Sequence, residues 1–392
     1  MDNFSFYAPT YFQFGKDSEY MAGPLVKRFG GTKVLIHYGG GSVVRSGLLD
    51  RVKESLTKEG IAYVELGGVK PNPRSGLVYE GIDLCRKENV DFILAVGGGS
   101  TIDSSKAIAA GTVCDGDFWD FYEGKPVTKA LPVGTVLTIA AAGSEGSPDS
   151  VITKEEGMLK RGASGEAYRP KFSILNPALT MTLPPYQTAC GITDIMAHLY
   201  ERYLTNSKDV EVTDRLIEAL LLTMRNEGPK VIANPEDYEA RANIMWAGMV
   251  AHNNICGVGR SQDWLSHGIE HELSAKYDCA HGAGLAVTMP AVFTYNLKHD
   301  IMRFAKAAVR VWGCEMDFDN PERTAKAGIE ALKTYLHSIG MPLNFKELGA
   351  KEEDIEQMAY TACYGDGSGS GKMYGFTVLE QSDVEAIYRL ML

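Results

Sequence analysis

The sequence contains no apolar run approaching the ~20 residues that a membrane-spanning helix needs. Its first residues lack the charged start and apolar core of a signal peptide. Basic residues are outnumbered by acidic ones, 39 against 50, and the net charge of -11 argues against a surface that binds nucleic acid or an anionic membrane. The seven cysteines include no Cys-x-x-Cys pair, which is typical of free thiols in a reducing compartment. We therefore expect a cytoplasmic protein.

The composition is otherwise that of a globular enzyme large enough for two domains. The chain has 392 residues, of which 45% are hydrophobic and 23% charged. Its first half alternates apolar runs with amphipathic stretches, which predicts βαβ units and a parallel sheet. The expected strands cover 33–38, 63–66, 90–96, 133–138 and 171–175, and the expected helices cover 43–59, 75–87 and 101–110.

Helix-forming residues dominate from position 187 onward. The expected helices there cover 192–203, 209–225, 237–252, 303–311, 321–339 and 351–363. The paired prolines Pro184-Pro185 fit the interior of neither kind of element. We therefore expect an α/β domain over residues 1–186 and an all-α domain over residues 187–392. The glycine-rich stretch at 365–372 is expected to be a flexible loop rather than a phosphate cradle, because no strand precedes it.

One aspartate and three histidines form the most informative pattern in the chain. Asp194 and His198 are four residues apart, so in a helix both side chains leave the same face. His267 and His281 can join them only if a helix end or a turn lies between, and the glycines of His281-Gly-Ala-Gly284 are expected to supply it. A carboxylate with three imidazoles and no thiolate suits Fe(II) or Zn(II) acting as a Lewis acid. The sequence therefore predicts a chemical metal site.

Two glycine runs follow expected strands of the parallel sheet. Gly97-Gly98-Gly99-Ser100 stands where a strand is followed by a helix, and Gly39-Gly40-Gly41-Ser42 follows the first strand in the same way. Such a loop either lets a phosphate approach the backbone at a helix N-terminus or simply makes a tight turn. Because ligands of parallel sheets lie outside the carboxyl ends of the strands, two such loops favour a dinucleotide.

The combined motifs resemble the iron-containing (group III) alcohol dehydrogenases, and within them the butanol dehydrogenase and broad-specificity aldehyde reductase branch. The motifs are Gly97-Gly-Gly-Ser100-x-x-Asp103, Ala142-Gly-Ser-Glu145, Gly191-x-x-Asp194-x-x-x-His198, His267…His271 and His281-Gly-x-Gly284. They occur in the family's order from about Phe6 to the C-terminus. The resemblance implies a Rossmann-like, dehydroquinate-synthase-like α/β N-terminal domain, an all-α C-terminal domain and a homodimer.

The resemblance also implies roles for particular residues. It makes Asp194, His198, His267 and His281 the ligands of one divalent metal, Fe(II) or Zn(II). It matches Gly97, Gly98, Gly99 and Ser100 to the pyrophosphate loop, Asp103 to an acidic residue near the nicotinamide, Thr138 to a position near the adenine, and Lys160 to one that reaches the cofactor ribose. Asp103 is thus a candidate both for cofactor binding and for catalysis. One departure is Ala142, where many members have threonine.

The cofactor is expected to be NADP or NAD, with NADP favoured. NAD-selective dehydrogenases usually place a carboxylate at the adenosine ribose, where it repels a 2′-phosphate. In the resembling NAD-selective relatives an aspartate follows the first strand, whereas this chain has Gly39-Gly40-Gly41-Ser42 and no carboxylate there. The glycine N–H groups and the Ser42 hydroxyl can hold a 2′-phosphate, although no arginine clamp is visible at this stretch of the sequence.

Several residues keep two interpretations. His271 lies one helical turn from His267, so it either relays a proton or orients the metal site. Glu201 is expected on the helix surface or hydrogen-bonded behind a metal ligand. Asp103 is able simply to cap its helix. Trp246 and Trp264 are expected to anchor the core.

The expected reaction is reversible hydride transfer between a nicotinamide cofactor and an alcohol/aldehyde pair. Without a recognisable charged clamp for a carboxylate, small to medium uncharged aldehydes, such as butyraldehyde, are the expected substrates. One alternative is a glycerol-dehydrogenase-like or dehydroquinate-synthase-like enzyme on the same fold. Another is a protein that binds a metal and a nucleotide without turnover.

Overall fold

Six parallel strands form the sheet that the alternating apolar runs predict, in the order β1-β8-β5-β4-β2-β3. An antiparallel hairpin of β6 and β7 and a second hairpin of β9 and β10 complete the strands. The computed structural model describes residues 1–365 and 370–392. The strands are β1 Tyr11–Phe14, β2 Lys33–Gly39, β3 Ala62–Val69, β4 Phe92–Gly97, β5 Val133–Leu137, β6 Asp149–Lys154, β7 Leu159–Ser164, β8 Phe172–Leu175, β9 Lys372–Tyr374 and β10 Val378–Glu380.

The helices surround the sheet in the first half of the chain and dominate the second. They are α1 Ala22–Arg28, α2 Ser42–Arg45, α3 Leu48–Lys58, α4 Ser75–Glu88, α5 Gly99–Val113, α6 Pro185–Tyr203, α7 Glu211–Ala233, α8 Tyr238–His252, α9 Leu265–Tyr277, α10 His281–Asn296, α11 Ile301–Ala307, α12 Pro321–Ser338, α13 Phe345–Leu348, α14 Ile355–Tyr364 and α15 Gln381–Arg389. Short 3-10 segments cover Ser18–Met21, Phe118–Glu123, Glu156–Met158, Glu166–Tyr168, Pro177–Thr180 and Glu352–Asp354, and α11 continues as a π-helix over Ala308–Trp312. The α/β and all-α expectation is confirmed in outline.

Contacts group the chain into two units. The sheet unit comprises Tyr7–Leu183 and Glu236–Asn253, and the helical unit comprises Met1–Phe6, Pro184–Pro235 and Asn254–Leu392. The first boundary lies three residues before the expected one at 186. Helix α8, expected in the second domain, belongs to the sheet unit because its Met245 is buried against Leu137 and Leu175 at the ends of β5 and β8.

The sheet is buried on both faces, as the continuous apolar strands require. On one face, Leu35 and Ile93 pack with Ile82 and Ile108 of α4 and α5. On the other, Ile36 and Leu94 pack with residues of α1 and α3. The strand ends that carry both glycine runs are therefore held by two packed layers.

Three local expectations were wrong. The single helix expected over 43–59 is two helices, since Gly47 adopts a φ of 69° between α2 and α3. Strand β1 was missed, and the small hairpin of β9 and β10 lies in the half that was expected to be all-helical. The glycine-rich stretch expected to be a loop at 365–372 falls largely on residues 366–369, outside the described residues.

In the part of the chain that is described, no helix combines the length and apolarity needed to cross a membrane.

In the helical unit, the buried carboxylate of Asp214 forms ion pairs with three basic side chains. Asp214 accepts hydrogen bonds from Arg260 at 2.9 Å, Arg303 at 2.7 Å and Lys306 at 2.9 Å. Burial alone would raise the pKa of Asp214, but its bonds to Arg303 and Lys306 lower it from 3.8 to about 2. The charge pairs join α7 and α11 with the segment that precedes α9.

We expect Asp214→Asn to destabilise the protein by about 3 kcal/mol at neutral pH, because it leaves the buried Arg260 and the half-buried Arg303 and Lys306 without their carboxylate. A carboxylate with a depressed pKa stabilises the fold above its ordinary pKa and loses that contribution as the pH falls. The difference from wild type should therefore shrink between pH 4 and pH 2. Urea unfolding measures it, with the exposed Asp209→Asn as a control within about 0.5 kcal/mol of wild type. Equal stabilities of Asp214→Asn and wild type at pH 7 would contradict the prediction.

Candidate metal centre and cofactor loops

Three helices of the helical unit bring the predicted ligands together. Asp194 and His198 lie one turn apart on α6, which is buried through almost its whole length. His267 lies in the first turn of α9, and His281 is the first residue of α10. The expected break between them is confirmed, but residues 278–280 make it. His281 and Gly282 already belong to the next helix.

Gly282 explains how α10 approaches α6. A Cβ at this position would lie 2.0 Å from the backbone oxygen of Cys190, a clash that only glycine avoids. The close approach sets His281 opposite Asp194, whereas a larger side chain at position 282 would separate the two helices.

The ligand atoms converge on the Asp194 carboxylate. Its Oδ1 lies 3.4 Å from His198 Nδ1, 3.6 Å from His267 Nε2 and 3.8 Å from His281 Nε2. Atoms of Asp194, His267 and His281 all lie within 4.8 Å of one another. The His198 ring adjoins this group, with its centroid 4.6 Å from that of His267. Asp194, His267 and His281 are thus close enough for one ion to contact all three, and His198 lies next to this group.

The surroundings of His267 fit a cation. Its Nε2 is buried and has no hydrogen-bond partner among the described residues. Burial would lower the pKa of His267, but the carboxylates of Glu201 and Asp194 raise it to about 10. The site therefore stabilises positive charge at this nitrogen, and its donor set of one carboxylate and three imidazoles suits Fe(II) or Zn(II).

Two fully buried glutamates orient the histidines. Glu201 accepts a hydrogen bond from Nδ1 of His267 and a second from its backbone N–H at 3.0 Å. Glu270 bonds Nδ1 of His281. Because the carboxylate keeps the proton on Nδ1, Nε2 is the nitrogen that can offer a lone pair to a metal, which takes the place of any proton there. Of the two interpretations of Glu201, the structure shows the buried carboxylate hydrogen-bonded to a proposed ligand, His267, and not the position on the helix surface.

Sequence reasoning missed Glu270, because its partner glycine lies on the next helix. A Cβ at Gly284 would lie 2.5 Å from Glu270 Oε1, so the second glycine of His281-Gly-Ala-Gly284 makes room for this carboxylate. A glutamate facing a glycine on the next helix is visible only once α9 and α10 are packed together.

We expect Glu270→Gln to weaken metal binding by roughly 10- to 100-fold, as loss of a carboxylate behind a metal ligand typically does. The amide keeps the volume and an acceptor but loses the charge. Gly284→Ala should act in the same direction by displacing Glu270. Competition with a chromophoric chelator measures affinity without turnover, and Lys276→Gln, at an exposed position on the same helix, is the control. Wild-type affinity in Glu270→Gln would show that the charge has no role.

His271 lies beside the centre rather than within it. Its ring centroid is 6.5 Å from that of His267 and 5.9 Å from that of His281. It is half-buried, and one of its nitrogens lies within 4.8 Å of ligand atoms of Glu270 and His281. The position is compatible with both interpretations that the sequence leaves open.

The two glycine runs lie side by side in the sheet unit. Tyr38 pairs with Val96 in the parallel register of β2 and β4. Both runs therefore follow the carboxyl ends of neighbouring strands. Gly98 precedes α5, and Gly99 and Ser100 form its first turn, where N–H groups have no partner within the helix. A Cβ at Gly98 or Gly99 would collide with Ile139 or Ala142, so these glycines also have a packing role.

The other two residues predicted to bind the cofactor, Thr138 and Lys160, contact residues at or just beyond the carboxyl ends of the strands. The backbone N–H of Thr138 bonds Gly97 at 3.1 Å. Lys160, on β7, is buried, and its amino group donates to Asn72, which follows β3, at 3.1 Å. Sequence reasoning missed Arg45, whose guanidinium lies 3.1 Å from where a Cβ on Gly41 would be. Residues 42–45 form a single helical turn, and this turn brings the Arg45 side chain back to Gly41, four residues earlier.

Asp103 has structural partners. Its carboxylate accepts hydrogen bonds from Ser144 at 2.5 Å and from the backbone N–H of Val151 at 3.0 Å. It lies in the second turn of α5, so the idea that it caps the helix was wrong. The nearby Lys106 is buried and donates to backbone oxygens of Ser144 and Asp149, each at 2.7 Å. Asp103 and Lys106 thus hold the 144–149 loop against α5.

The chain matches known proteins over nearly its whole length. Residues 9–177 match the family model of iron-containing alcohol dehydrogenase, and residues 188–392 match the C-terminal model of the Fe-containing alcohol dehydrogenase family. NADH-dependent butanol dehydrogenase A of Clostridium acetobutylicum is 41% identical over 375 residues, 95% of this chain and 96% of the relative. The NADPH-dependent aldehyde reductase YqhD of Escherichia coli is 37% identical, over 91% of each chain. The crystal structure of NADH-dependent butanol dehydrogenase A from Thermotoga maritima has a TM-score of 0.96 and 39% identity, covering 100% of this chain and 99% of its own.

Proposed function

Because this chain belongs to the iron-containing alcohol dehydrogenase family, a family of metal- and nicotinamide-dependent oxidoreductases, we propose that it interconverts small to medium primary alcohols and aldehydes such as butanol and butyraldehyde. The observation that carries the proposal is the convergence of Asp194, His267 and His281 within 4.8 Å in the helical unit, with His198 adjoining. A residue set of this kind is suited to Lewis-acid chemistry on an uncharged oxygen.

The residues of the proposed metal centre have three different roles: binding the ion, orienting its ligands and transferring a proton. Asp194, His198, His267 and His281 hold one Fe(II) or Zn(II), which polarises the substrate oxygen when bound. Glu201 and Glu270 keep the Nε2 atoms of two histidines directed at the ion. His271 either carries the alcohol proton to solvent or supports the ligands, and its half-buried side chain is suited to the first role.

The sheet unit holds the dinucleotide, which supplies the hydride. The N–H groups of Gly98, Gly99 and Ser100 at the start of α5 are proposed to bind the pyrophosphate. Thr138 is proposed near the adenine and Lys160 at the ribose. For Asp103 we propose a positioning role, because both of its carboxylate oxygens bond the neighbouring loop and strand.

A preference for NADP over NAD is the finer part of the proposal. Gly39, Gly40, Gly41 and Ser42 present no carboxylate, and the exposed Arg45 adds the positive charge that a 2′-phosphate needs. Arg45 has no ion-pair partner among the described residues. The names of related enzymes include both NADH- and NADPH-dependent ones.

We expect a higher kcat/KM for NADPH than for NADH in the wild type. Arg45→Ala should lower the value for NADPH by about 10-fold or more, since a charged hydrogen bond contributes about 1.5–3 kcal/mol, and leave NADH nearly unchanged. Gly39→Asp should reverse the preference, and position 39 has room because a Cβ there meets nothing closer than 3.6 Å. The exposed Lys58→Ala removes a charge elsewhere in the sheet unit as a control. A wild type that favours NADH, or unchanged discrimination in Gly39→Asp, would rule out the preference.

The function is tested by absorbance at the nicotinamide band after anaerobic loading with Fe(II) or, separately, Zn(II). Turnover of butyraldehyde or butanol is the expected result. Oxidation of glycerol without activity on butanol would favour the polyol alternative. Cofactor binding without turnover of any alcohol or aldehyde would favour the non-catalytic one.

We also propose a cytoplasmic homodimer. Strand β1 forms one edge of the sheet, and its exposed residues Tyr11 and Phe14 are aromatic and uncharged. Natural edge strands usually carry charge, proline or a bulge that prevents pairing, and β1 carries none of these between 11 and 14. A second copy is the partner that such a self-complementary edge fits. Light scattering in solution measures the mass, and a monomer at micromolar concentration would contradict the proposal.

A further inference from the structure

Trp264 directly precedes α9, next to two of the proposed metal ligands. The residues that follow it, Leu265, Ser266 and His267, are buried, whereas Trp264 itself keeps part of its surface exposed. Its ring centroid lies 5.3 Å from that of His267 and 5.9 Å from that of His198, in edge contact with both. An indole with solvent-accessible surface therefore adjoins two of the four proposed metal ligands.

The backbone of Trp264 is strained. It precedes α9 with φ 70° and ψ 8°, in the left-handed region that bulky residues rarely adopt. Such a conformation is energetically unfavourable and persists where the surroundings enforce it, often at ligand sites. Glycine or asparagine would relieve the strain, so the side chain itself has a use at this position.

A buried arginine fixes the indole from one side. The Arg202 guanidinium lies 4.6 Å from the centroid of the Trp264 ring. Arg202 also donates a hydrogen bond at 2.9 Å to the backbone oxygen of His198, one turn earlier on α6. The cation–π contact and this bond hold the indole at a set distance from the ligand helix.

We infer that Trp264 is the apolar wall against which the carbon chain of the substrate packs when its oxygen is held at the metal centre, so that this residue determines the preferred chain length. The inference rests on the proposed function. An aromatic wall favours uncharged, linear alcohols and aldehydes of several carbons. Each methylene that packs on it contributes about 0.8 kcal/mol, which is about fourfold in kcat/KM.

The test is kcat/KM for linear aldehydes of two to six carbons, with metal content measured in every variant. In the wild type kcat/KM should rise with each added carbon until the wall is covered. Trp264→Ala should flatten this dependence while the metal is retained, and Trp264→Phe should restore most of it. Trp312→Phe is the matched control, because Trp312 bonds Tyr200 at 2.8 Å elsewhere in the helical unit. Its chain-length dependence should equal that of wild type.

Two results would overturn the inference. An equal loss of kcat/KM for all aldehydes in Trp264→Ala would indicate a purely structural residue, and loss of the metal would indicate support of the ligands.

A second measurement does not depend on turnover. It follows the tryptophan emission of the Zn(II)-loaded protein during titration with hexan-1-ol or ethanol. A saturable change, tighter for hexan-1-ol and absent in Trp264→Phe, is expected. Its absence in wild type contradicts the inference, whereas its presence without turnover contradicts only the proposed function.

Discussion

His267→Ala is expected to leave a folded protein that neither retains a divalent metal nor turns over an aldehyde. The substitution removes the buried Nε2 that lies 3.6 Å from Asp194 Oδ1 and has no hydrogen-bond partner among the described residues. It also leaves the buried Glu201 without its imidazole, at a cost of roughly 1–3 kcal/mol. The backbone bond from residue 267 to Glu201 persists, and the sheet unit has its own core, so the fold should survive.

Elemental analysis, circular dichroism and turnover measure the three parts of this result. His337→Ala, which removes an exposed imidazole from α12, is the control and should keep both metal and activity. Full activity in a metal-free His267→Ala protein would end the hypothesis of a catalytic metal.

His271→Ala is expected to retain the metal but to lower turnover by roughly 10²–10⁴-fold, the usual contribution of a positioned acid–base group. The half-buried ring lies near the rings of two proposed ligands, so it is placed to exchange protons between the centre and solvent. The pH dependence of kcat should change with it, because the group that transfers the proton is lost.

The other interpretation of His271 gives a different result. One nitrogen of His271 lies near ligand atoms of Glu270 and His281. If His271 only supports the ligands, His271→Ala should lose the metal and change the pH profile little. That outcome would reject the proton relay. Metal content and the pH profile of the same preparation therefore separate the two roles.

Much of the sheet was predictable because its strands carry their own pattern. Strands β2 and β4 are largely apolar runs that end on glycine and precede helices, and a run of that kind indicates a strand buried on both faces. Strand β1 has only four residues at an edge and lacks such a pattern. Helix α8 was predicted as a helix, but no local pattern says which unit an amphipathic helix will pack against.

The proposed metal ligands were predictable from order and spacing, since Asp194 and His198 lie on one helical face and His267 and His281 flank a helix break. Glu270 was not, because a glutamate within a helix looks like a solvated residue until Gly284 of the next helix is placed against it. Arg45 needed the one-turn helix that follows Gly41, and Trp264 needed the left-handed backbone that sets it beside His198 and His267. The sequence by itself determined most of the element types and the proposed metal-binding side chains, because periodicity and residue chemistry are local. Only the tertiary structure decided which carboxylates, cations and aromatic rings surround them, because those contacts join residues on different helices and turns.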